Sequence, residues 1–340
     1  MRIAVDAMGG DYAPQEIVLG SIMANKKYGI PVTLVGRAEN IYPYLSSENN
    51  LKGFQIMDAP EVVGMAESPT EAFKNKKKSS LKIALELVKE REALSMVSAG
   101  NSGAVLTFAA MTLGLIKGID RPALAAPLPN LQNFTIVIDV GANVDCKPKN
   151  LFQFAIMGHY YAQLLLKIKN PKIGIVSIGE EEGKGNLLVK ETHNLLKKSN
   201  LNFIGNVEGR DIFLGKCDVA ICDGFVGNVI LKTAEGVGEL IAISLKKEIT
   251  SSLKASFGFL LSKGAFKNFY KKIDYSEYGG APLLGVKGGC FICHGRSKAK
   301  AICNAIKVAY HFAEEKIVEK IQEHMKEFSI LERFHLDWRN

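Results

Sequence analysis

Several features of secreted and membrane proteins are missing from this 340-residue chain. No run of about 18 uncharged apolar residues occurs, which excludes a membrane-spanning helix of ordinary length. The six cysteines lie mostly inside apolar segments, as expected for reduced thiols rather than for a disulfide framework. No apolar leader with a small-residue cleavage site precedes the first apolar run at residues 2–5. These absences predict a cytoplasmic protein.

The motifs of several enzyme classes are missing as well. The chain has no G-x-S-x-G elbow and no G-x-G-x-x-G opening a helix, which argues against a serine hydrolase and a dinucleotide enzyme. The loop at 179–186 is one residue shorter than a Walker A loop and has no Ser or Thr for magnesium. Residues 290–294 have the C-x-x-C-H spacing of haem attachment, but the apolar residues around them predict a buried strand. The sequence therefore predicts no cofactor and no metal.

One arrangement occurs repeatedly in the chain: a short apolar run that ends in a glycine-rich, polar loop. These loops are 6–11, 98–103, 139–143, 179–186 and 223–228. The amphipathic helical patterns between them give the strand–helix alternation of a doubly wound parallel sheet. Ligands bind at the carboxyl ends of such strands, where glycine lets backbone N–H groups approach closely. We therefore predict a single α/β domain over residues 1–340, with a mostly parallel sheet and one crevice lined by these loops.

Positive charge exceeds negative charge by 8 in this chain. Such an excess favours an acidic partner: nucleic acid, an anionic lipid surface or an acidic protein. Lysines gather in two places, at 74–82 and at 246–272. Each cluster is either a docking surface or an ordinary solvated helix face.

The segment 246–276 departs from the strand–helix alternation. Large apolar side chains recur in it at helical spacing among lysines, and Gly258 and Gly264 divide it, which predicts an embedded helical hairpin. An apolar aromatic face beside a basic face is typical of a helix that lies on a membrane surface. The alternative is that the apolar residues pack on the rest of the protein or on a second subunit. The membrane contacts expected are Phe257, Phe259, Leu260 and Leu261.

Some loop residues are candidates for binding an anion. Lys184 lies in a glycine-rich loop before a predicted helix, where an ammonium group and free N–H groups favour negative charge. Asn143 and Asn228 end similar loops, and a carboxamide can donate to an oxyanion, although asparagine also serves in turns and as a helix cap. His294 is either a general acid or base or a structural histidine. The strand-end aspartates are expected to accept from loop N–H groups rather than to hold a metal: Asp6, Asp11, Asp139 and Asp223.

Seven segments in order resemble the motifs of the phosphate acyltransferase (PlsX) family, the acyl-acyl carrier protein:phosphate acyltransferases of bacterial phospholipid synthesis. They are DAMGGDYAP at 6–14, DAPE at 58–61, SAGNSGA at 98–104, DVGAN at 139–143, IGEEEGKGN at 178–186, DGFVGNVILKT at 223–233 and HGRS at 294–297. The resemblance covers residue 1 to about 310 and implies a fold similar to phosphotransacetylases and isocitrate dehydrogenase-type enzymes. The segment 312–340, a predicted amphipathic helix and tail, has no counterpart in it.

The resemblance implies a homodimer that moves a long-chain acyl group from acyl carrier protein to inorganic phosphate. It implies Lys184 and Asn228 as the catalytic pair and 246–276 as the membrane-contacting hairpin. The acyl phosphate would pass to a membrane glycerol-3-phosphate acyltransferase, so peripheral attachment to the inner face of the plasma membrane is expected. Further phosphate or substrate contacts are expected at Gly100, Asn101, Ser102, Asn143, Gly185, Asn186, Gly227 and His294.

Two other functions fit parts of the sequence. A dehydrogenase would share the fold class, but the dinucleotide fingerprint is missing. A basic lipid- or nucleic-acid-binding protein would account for the net charge but not for the polar loops at the strand ends. We therefore predict an acyltransferase that binds no nucleic acid and needs no cofactor.

Overall fold

The computed structural model describes residues 1–45, 53–273 and 279–325. Within these ranges the strands form one 11-stranded sheet. Most of its strands are short and buried on both faces, as expected for a sheet covered by helices. The strands are β1 (Arg2–Asp6), β2 (Val32–Gly36), β3 (Phe54–Asp58), β4 (Ala93–Ser98), β5 (Ala123–Pro129), β6 (Phe134–Ile138), β7 (Ile173–Val176), β8 (Phe203–Val207), β9 (Val219–Ile221), β10 (Ala281–Leu284) and β11 (Gly289–Ile292).

Most neighbouring strands of the sheet run parallel. The strand order is β3-β2-β1-β4-β11-β10-β5-β6-β9-β7-β8. β10 is antiparallel to both of its neighbours, and β5 is also antiparallel to β6, whereas the other pairs are parallel. The predicted mixed α/β class with a large, mostly parallel sheet is confirmed. The strand direction reverses in the middle of the sheet.

Helices cover both faces of the sheet. Successive side chains of a strand point to opposite faces, and in β1 Ile3 and Val5 belong to one buried cluster while Ala4 belongs to the other. The first cluster includes residues of the helices at 15–28, 148–166 and 299–314, and the second includes residues of the helices at 80–89 and 102–113. The helices are α1 (Gln15–Tyr28), α2 (Ala38–Leu45), α3 (Pro69–Asn75), α4 (Ser80–Lys89), α5 (Ser102–Leu113), α6 (Pro148–Leu166), α7 (Leu187–Lys197), α8 (Gly209–Leu214), α9 (Gly224–Thr250), α10 (Leu253–Ile273) and α11 (Ala299–Glu314).

The reversal of strand direction divides the polar loops into two groups. The loops after β1, β4 and β11 form the first loop set, which comprises residues 6–11, 98–103 and 293–297. The loops after β6, β7 and β9 form the second loop set, which comprises residues 139–143, 177–186 and 222–228. The two groups of loops therefore follow strands that run in opposite directions. Adjacent strands of a sheet are rotated by about 20–25° relative to one another, so the two halves of this sheet are also rotated relative to each other.

Helix α9 connects the two loop sets. It begins in the second loop set, contacts β5 and β6, and packs Val226, Ile230 and Ala234 against a buried cluster. Farther along the helix, Lys232 Nζ lies 3.2 Å from Nε2 of His294 in the first loop set. One face of α9 therefore lines the crevice between the two sets.

The segment 246–276 is organised differently from the prediction. Helix α9 continues to Thr250, the chain turns at residues 251–252, and α10 then packs along α9. Gly258 and Gly264 lie inside α10, because a glycine costs a helix only about 1 kcal/mol. A hairpin contained within 246–276 and divided at these glycines is therefore not confirmed. Residues 274–276 lie outside the described residues.

The described part of the C-terminal segment docks on the core. Residues 317–325 are helical, and Ile317, Ile321 and Met325 are buried at a spacing of four residues in the cluster that includes α6 and α11. The remainder of the predicted helix and tail, residues 326–340, lies outside the described residues. Among the described helices, none is both long and apolar enough to cross a membrane.

The start of α9 approaches the loop after β6 very closely. A Cβ on Gly227 would overlap the carbonyl oxygen of Asp139, and a Cβ on Gly224 would lie 2.7 Å from the carbonyl oxygen of Asn143. The Gly224 N–H donates to that same Asn143 oxygen at 2.7 Å. Because only glycine allows this approach, these two residues determine where α9 leaves the sheet.

We expect Gly227→Ala to lower the free energy of unfolding by about 1–3 kcal/mol, because overpacking forces the helix away from the loop. Urea denaturation measures the change. The control is Gly209→Ala at the start of α8, where nothing lies within 4 Å of an added Cβ. That variant should keep or slightly raise stability, since alanine is the better helix former. Equal stability of the two variants would contradict a close-packing role for Gly227.

Candidate functional site

The loop after β6 is organised around a buried carboxylate. Asp139 is fully buried, and its two oxygens accept hydrogen bonds from the backbone N–H groups of Leu124, Gly141, Ala142 and Asn143 at 2.7–3.2 Å. Burial raises the pKa of Asp139, and the hydrogen bonds oppose that rise. The expectation that a strand-end aspartate accepts from loop N–H groups is confirmed here.

Asn143 links this loop to its neighbours. Its Nδ2 donates to Asp139 Oδ2 at 2.8 Å and to the carbonyl oxygen of Pro122, just before β5, at 2.7 Å. Its own carbonyl oxygen accepts from Gly224 at the start of α9. Both amide hydrogens are therefore used inside the protein, so Asn143 positions the loop, and its expected contact with substrate stays a prediction.

Asn228 faces the crevice from near the start of α9. The helix is capped by Asp223, whose Oδ1 accepts from the Val226 N–H at 2.9 Å. The Asn228 side chain is exposed and lies against Gly141, with its Oδ1 3.7 Å from the position of a Cβ on that glycine. Its carboxamide has no hydrogen-bond partner among the residues that the structure describes. This amide is available to a ligand.

Lys184 is carried by the loop between β7 and α7. Buried Asn206 of β8 holds the loop, because its Nδ2 donates to the carbonyl oxygens of Glu181 at 2.7 Å and of Lys184 at 3.5 Å. Gly185 adopts a φ of 101°, which L side chains rarely take. Both features shape the backbone next to the lysine.

The charge of Lys184 is not neutralised by the acidic residues around it. Lys184 is exposed and makes no ion pair within the described part of the chain. Glu180 pairs with Lys216 at 2.9 Å, and Glu208 pairs with Arg210 at 2.9 Å. The open cleft around the lysine has a volume of about 540 Å³ and is lined by Ile178, Gly179, Glu180, Glu181, Lys184, Glu208 and Arg210.

Two asparagines predicted to bind substrate are helix caps. The side-chain oxygens of Asn101 and Asn186 accept from the N–H three residues later, at 3.1 and 2.9 Å. Asn101 also donates its amide hydrogens to the carbonyl oxygens of Met65 and Glu67, at 2.9 and 3.0 Å. These bonds explain the two asparagines without a ligand. Ser102, the residue after Asn101, is exposed at the start of α5.

Two predicted substrate contacts are buried glycines. Gly227 packs against the carbonyl oxygen of Asp139, as described above, and the Gly100 N–H donates to buried Ser98 Oγ at 3.1 Å. That serine in turn donates to Asp6 Oδ2 at 2.7 Å. Both glycines therefore serve loop packing, and their contact with a substrate stays a prediction.

His294 ends β11 in the first loop set. Its Nδ1 accepts from the Arg296 N–H at 3.3 Å, and its Nε2 faces Lys232 Nζ of α9. Burial and the charge of Lys232 lower the pKa of His294, so the ring is neutral at pH 7. Sequence reasoning missed Lys232, although its position four residues after Asn228 on a predicted helix was a usable signal.

The structure brings some predicted residues together and separates others. Lys184 and Asn228 follow adjacent parallel strands, since β7 pairs with β9, and therefore lie at the same edge of the sheet. His294 reaches this region through Lys232. The expected membrane contacts lie on α10, which packs beside the last turns of α9; the end of α9 is about 33 Å along the helix from Asn228 at 1.5 Å per residue.

The cysteines are poorly suited to nucleophilic attack. All six are free. Burial raises the pKa of Cys290 and of Cys293 to about 12, and burial also raises that of Cys146, the least buried, to about 11. A thiolate is therefore disfavoured at neutral pH.

The sequence is similar to known enzymes over almost its whole length. The sequence model of the fatty acid synthesis protein family matches residues 1–320. The chain is 53% identical over 329 residues to a phosphate acyltransferase of Geotalea uraniireducens, covering 96% of this chain and 95% of the relative. A phosphate acyltransferase of Aquifex aeolicus is 52% identical over 328 residues, covering 96% and 97%.

Solved structures share the fold at low sequence identity. A phosphotransacetylase from Streptococcus pyogenes matches with a TM-score of 0.64 and 15% identity, covering 93% of this chain and 94% of that one. A branched-chain phosphotransacylase from Enterococcus faecalis matches with a TM-score of 0.56 and 13% identity, covering 92% and 99%. At these identities the likeness shows the fold alone, and the predicted similarity to phosphotransacetylases is confirmed.

We expect Asn206→Ala to loosen the loop that carries Lys184, because it removes the donor to the Glu181 carbonyl oxygen. The loss of one hydrogen bond, about 1–1.5 kcal/mol, corresponds to roughly tenfold faster amide exchange over residues 180–185. Hydrogen–deuterium exchange mass spectrometry measures this. The control is Asn202→Ala, which removes a similar bond to the Asn170 carbonyl oxygen (3.1 Å) at the other end of the β7–β8 pair. Faster loop exchange in both variants would show that the opening is not local.

Proposed function

Because this chain belongs to the fatty acid synthesis protein family, we propose that it moves a long-chain acyl group from the thioester of acyl carrier protein to inorganic phosphate. Its relatives are phosphate acyltransferases, and the chain is an enzyme of that class. The products would be an acyl phosphate and the free carrier. The proposal is carried by exposed Lys184 and Asn228, a cation and a neutral donor at adjacent strand ends.

Inorganic phosphate needs binding more than activation, since it is already an anion at neutral pH. Lys184 lies just before the N-terminus of α7, where the helix dipole also favours negative charge. An ammonium about 4 Å from a unit negative charge gains roughly 4 kcal/mol at an effective dielectric constant near 20. Of the acidic residues in the cleft, Glu180 pairs with Lys216 and Glu208 pairs with Arg210, which reduces their competition with phosphate for Lys184.

The transfer proceeds by direct attack on the thioester. A phosphate oxygen forms a bond to the carbonyl carbon, a tetrahedral oxyanion develops, and the carbon–sulfur bond then breaks. Asn228 donates to the oxyanion, a contact whose loss typically costs about 10²–10³ in turnover. The thiolate leaves with the electron pair of the broken bond and takes a proton from water. The buried, high-pKa cysteines support transfer without an acyl-enzyme intermediate.

The acidic carrier protein needs a basic surface, and the lysines of α9 and α10 suit this role better than those at 74–82. In the latter cluster Lys76 pairs with Glu67 at 2.6 Å, and Lys82 Nζ donates to Thr112 at 2.9 Å. The lysines near the α9–α10 turn are exposed and form no ion pair among the described residues. They are Lys246, Lys247, Lys254, Lys263 and Lys267.

Helix α10 supports the proposed attachment to the inner face of the plasma membrane. Phe257, Leu260 and Leu261 are 63%, 62% and 75% exposed among lysines, as in helices that lie on anionic lipid. Phe259 is half-buried, and its ring lies 5.0 Å from that of Phe266 on the same helix, so it offers less surface to lipid than its exposed neighbours. At the membrane the acyl phosphate can pass directly to a glycerol-3-phosphate acyltransferase.

One side of α9 supports the proposed homodimer. Large apolar side chains on this side are 49–63% exposed in the single chain, and contiguous apolar patches of this kind usually mark a protein contact. They are Phe225, Val229, Val237, Leu240 and Ile243. A second copy of the chain would cover them next to the crevice.

We expect Lys184→Ala to reduce acyl phosphate formation by about 10²–10³-fold, because the lost attraction for phosphate is several kcal/mol. Purified protein is incubated with long-chain acyl carrier protein and phosphate, and acyl phosphate is trapped with hydroxylamine. Lys190→Ala, which removes an exposed lysine of the neighbouring α7, is the control and should keep full activity. Near-normal turnover in Lys184→Ala would exclude this lysine, and no product from the unaltered enzyme would refute the proposed function.

We expect Leu261→Asp to weaken binding to vesicles of phosphatidylglycerol and phosphatidylcholine by at least about tenfold, since burying a leucine is worth roughly 1.5–3 kcal/mol. Co-sedimentation measures the bound fraction. Leu131→Asp in the β5–β6 turn is matched, because both leucines are 75% exposed and both variants add one negative charge. Unchanged sedimentation of Leu261→Asp would favour packing of α10 against a second subunit.

A further inference from the structure

Two large apolar side chains lie exposed at the two ends of the loop that carries Lys184. Ile178 is 82% exposed just before the first glycine of the loop, and Leu187 is 71% exposed as the first residue of α7. Val176 and Leu188, which lie within two residues of them, pack against the buried clusters, whereas Ile178 and Leu187 belong to neither cluster. The two exposed side chains therefore contribute little to the stability of the described fold.

Ile178 lies beside the lysine that is proposed to bind phosphate. Both residues line the same cleft, and Lys184 Cγ lies 3.1 Å from the position of a Cβ on Gly179, the neighbour of Ile178 in the chain. The aliphatic part of the lysine therefore runs over the backbone next to Ile178. Leu187 directly follows the N-cap residue Asn186, so its Cα lies at most about 11 Å from that of Lys184.

A third exposed apolar side chain lies at the same edge of the sheet. Val144 is 62% exposed directly after the loop that follows β6. Strands β6, β9 and β7 are parallel neighbours, and the chain continues from β9 to Asn228 and from β7 to Lys184. The catalytic pair thus shares this edge with three large apolar side chains. Large apolar side chains that are exposed together usually mark a binding site.

We propose that Ile178, Leu187 and Val144 bind the hydrocarbon chain of the acyl donor and thereby determine the preference for long chains. This inference rests on the proposed function. During the transfer, the carbonyl carbon of the thioester lies about 3–3.5 Å from the attacking phosphate oxygen. The first methylene groups of the chain therefore lie next to the lysine that holds the phosphate. Apolar side chains at this place remove those methylene groups from water.

A second copy of the chain is the other candidate to cover these side chains. A subunit packed on Ile178 would close the cleft that this residue lines together with Lys184, and phosphate would lose its access to the lysine. The cleft has a volume of about 540 Å³, within the range of about 300–1,000 Å³ that is usual for sites of small molecules. It therefore suits a phosphate and the first part of an acyl chain better than a protein surface.

The test uses two alkylphosphonates, which join an anionic group to a hydrocarbon chain and bind without turnover. Each fully buried methylene group strengthens binding about fourfold, and a chain that contacts the protein on one side gains about half of that on a logarithmic scale. We therefore expect octylphosphonate to bind about tenfold more tightly than butylphosphonate in titration calorimetry. Ile178→Ser should reduce this difference to about threefold or less and leave the binding of butylphosphonate within about twofold. The variant should unfold at the same temperature as the unaltered protein.

Two control variants remove equally exposed apolar side chains elsewhere. Leu131→Ser lies in the β5–β6 turn, at the edge of the sheet opposite the loop after β6, and Leu261→Ser lies on α10. Both leucines are 75% exposed. Both variants should keep the full difference between the two phosphonates, because neither side chain lies near Lys184.

Equal binding of the two phosphonates to the unaltered protein overturns the inference, as does a difference that persists in Ile178→Ser. Loss of the difference in Leu261→Ser instead places the chain on α10 and overturns it too. A weaker dimer of Ile178→Ser in analytical ultracentrifugation, with the difference unchanged, assigns the side chain to a subunit contact and has the same consequence. If the unaltered enzyme forms no acyl phosphate, the proposed function is refuted, whereas a difference that is lost only in Ile178→Ser still supports an apolar subsite at this loop.

Discussion

The contact between the first turn of α9 and the loop after β6 determines the geometry of the crevice. Gly224 and Gly227 lie against carbonyl oxygens of that loop. The buried carboxylate of Asp139 stabilises the loop by accepting hydrogen bonds from its backbone N–H groups. A helix is a stiff rod that rises 1.5 Å per residue, so its direction at the first turn fixes every later side chain. Asn228 and Lys232 are therefore placed by backbone packing that takes part in no chemistry.

The reversal of strand direction explains why this helix matters. In a fully parallel sheet the loops at one edge would form a site by themselves. Here antiparallel β5 and β10 separate two parallel halves, and the loops of each half need an element that reaches the other. Helix α9 starts in the second loop set and meets the first at His294. The crevice therefore depends on one helix that packs across the middle of the sheet.

Local sequence patterns predicted the fold class, but they did not predict which residues far apart in the sequence lie close together in the structure. The apolar runs that end in glycine loops predicted the strands, and their alternation with helical patterns predicted the mostly parallel sheet. Both signals can be read from short stretches of sequence. A helix cap and a ligand contact use the same residue type at the same place, so the sequence alone did not reveal that Asn101 and Asn186 cap helices. The antiparallel strands that split the loops carry no such local signal, and neither does the pairing of Lys232 with His294, which are 62 residues apart.

The two ends of α9 meet different environments, and this accounts for its composition. Its first turn packs against the loop after β6, and Gly224 and Gly227 permit this contact. Its last turns carry exposed isoleucine, leucine and lysine beside α10, a pattern that suits an interface of lipid or protein. Over 27 residues the helix spans about 40 Å. A single helix thus connects the loops of the crevice with the exposed apolar and basic surface beside α10.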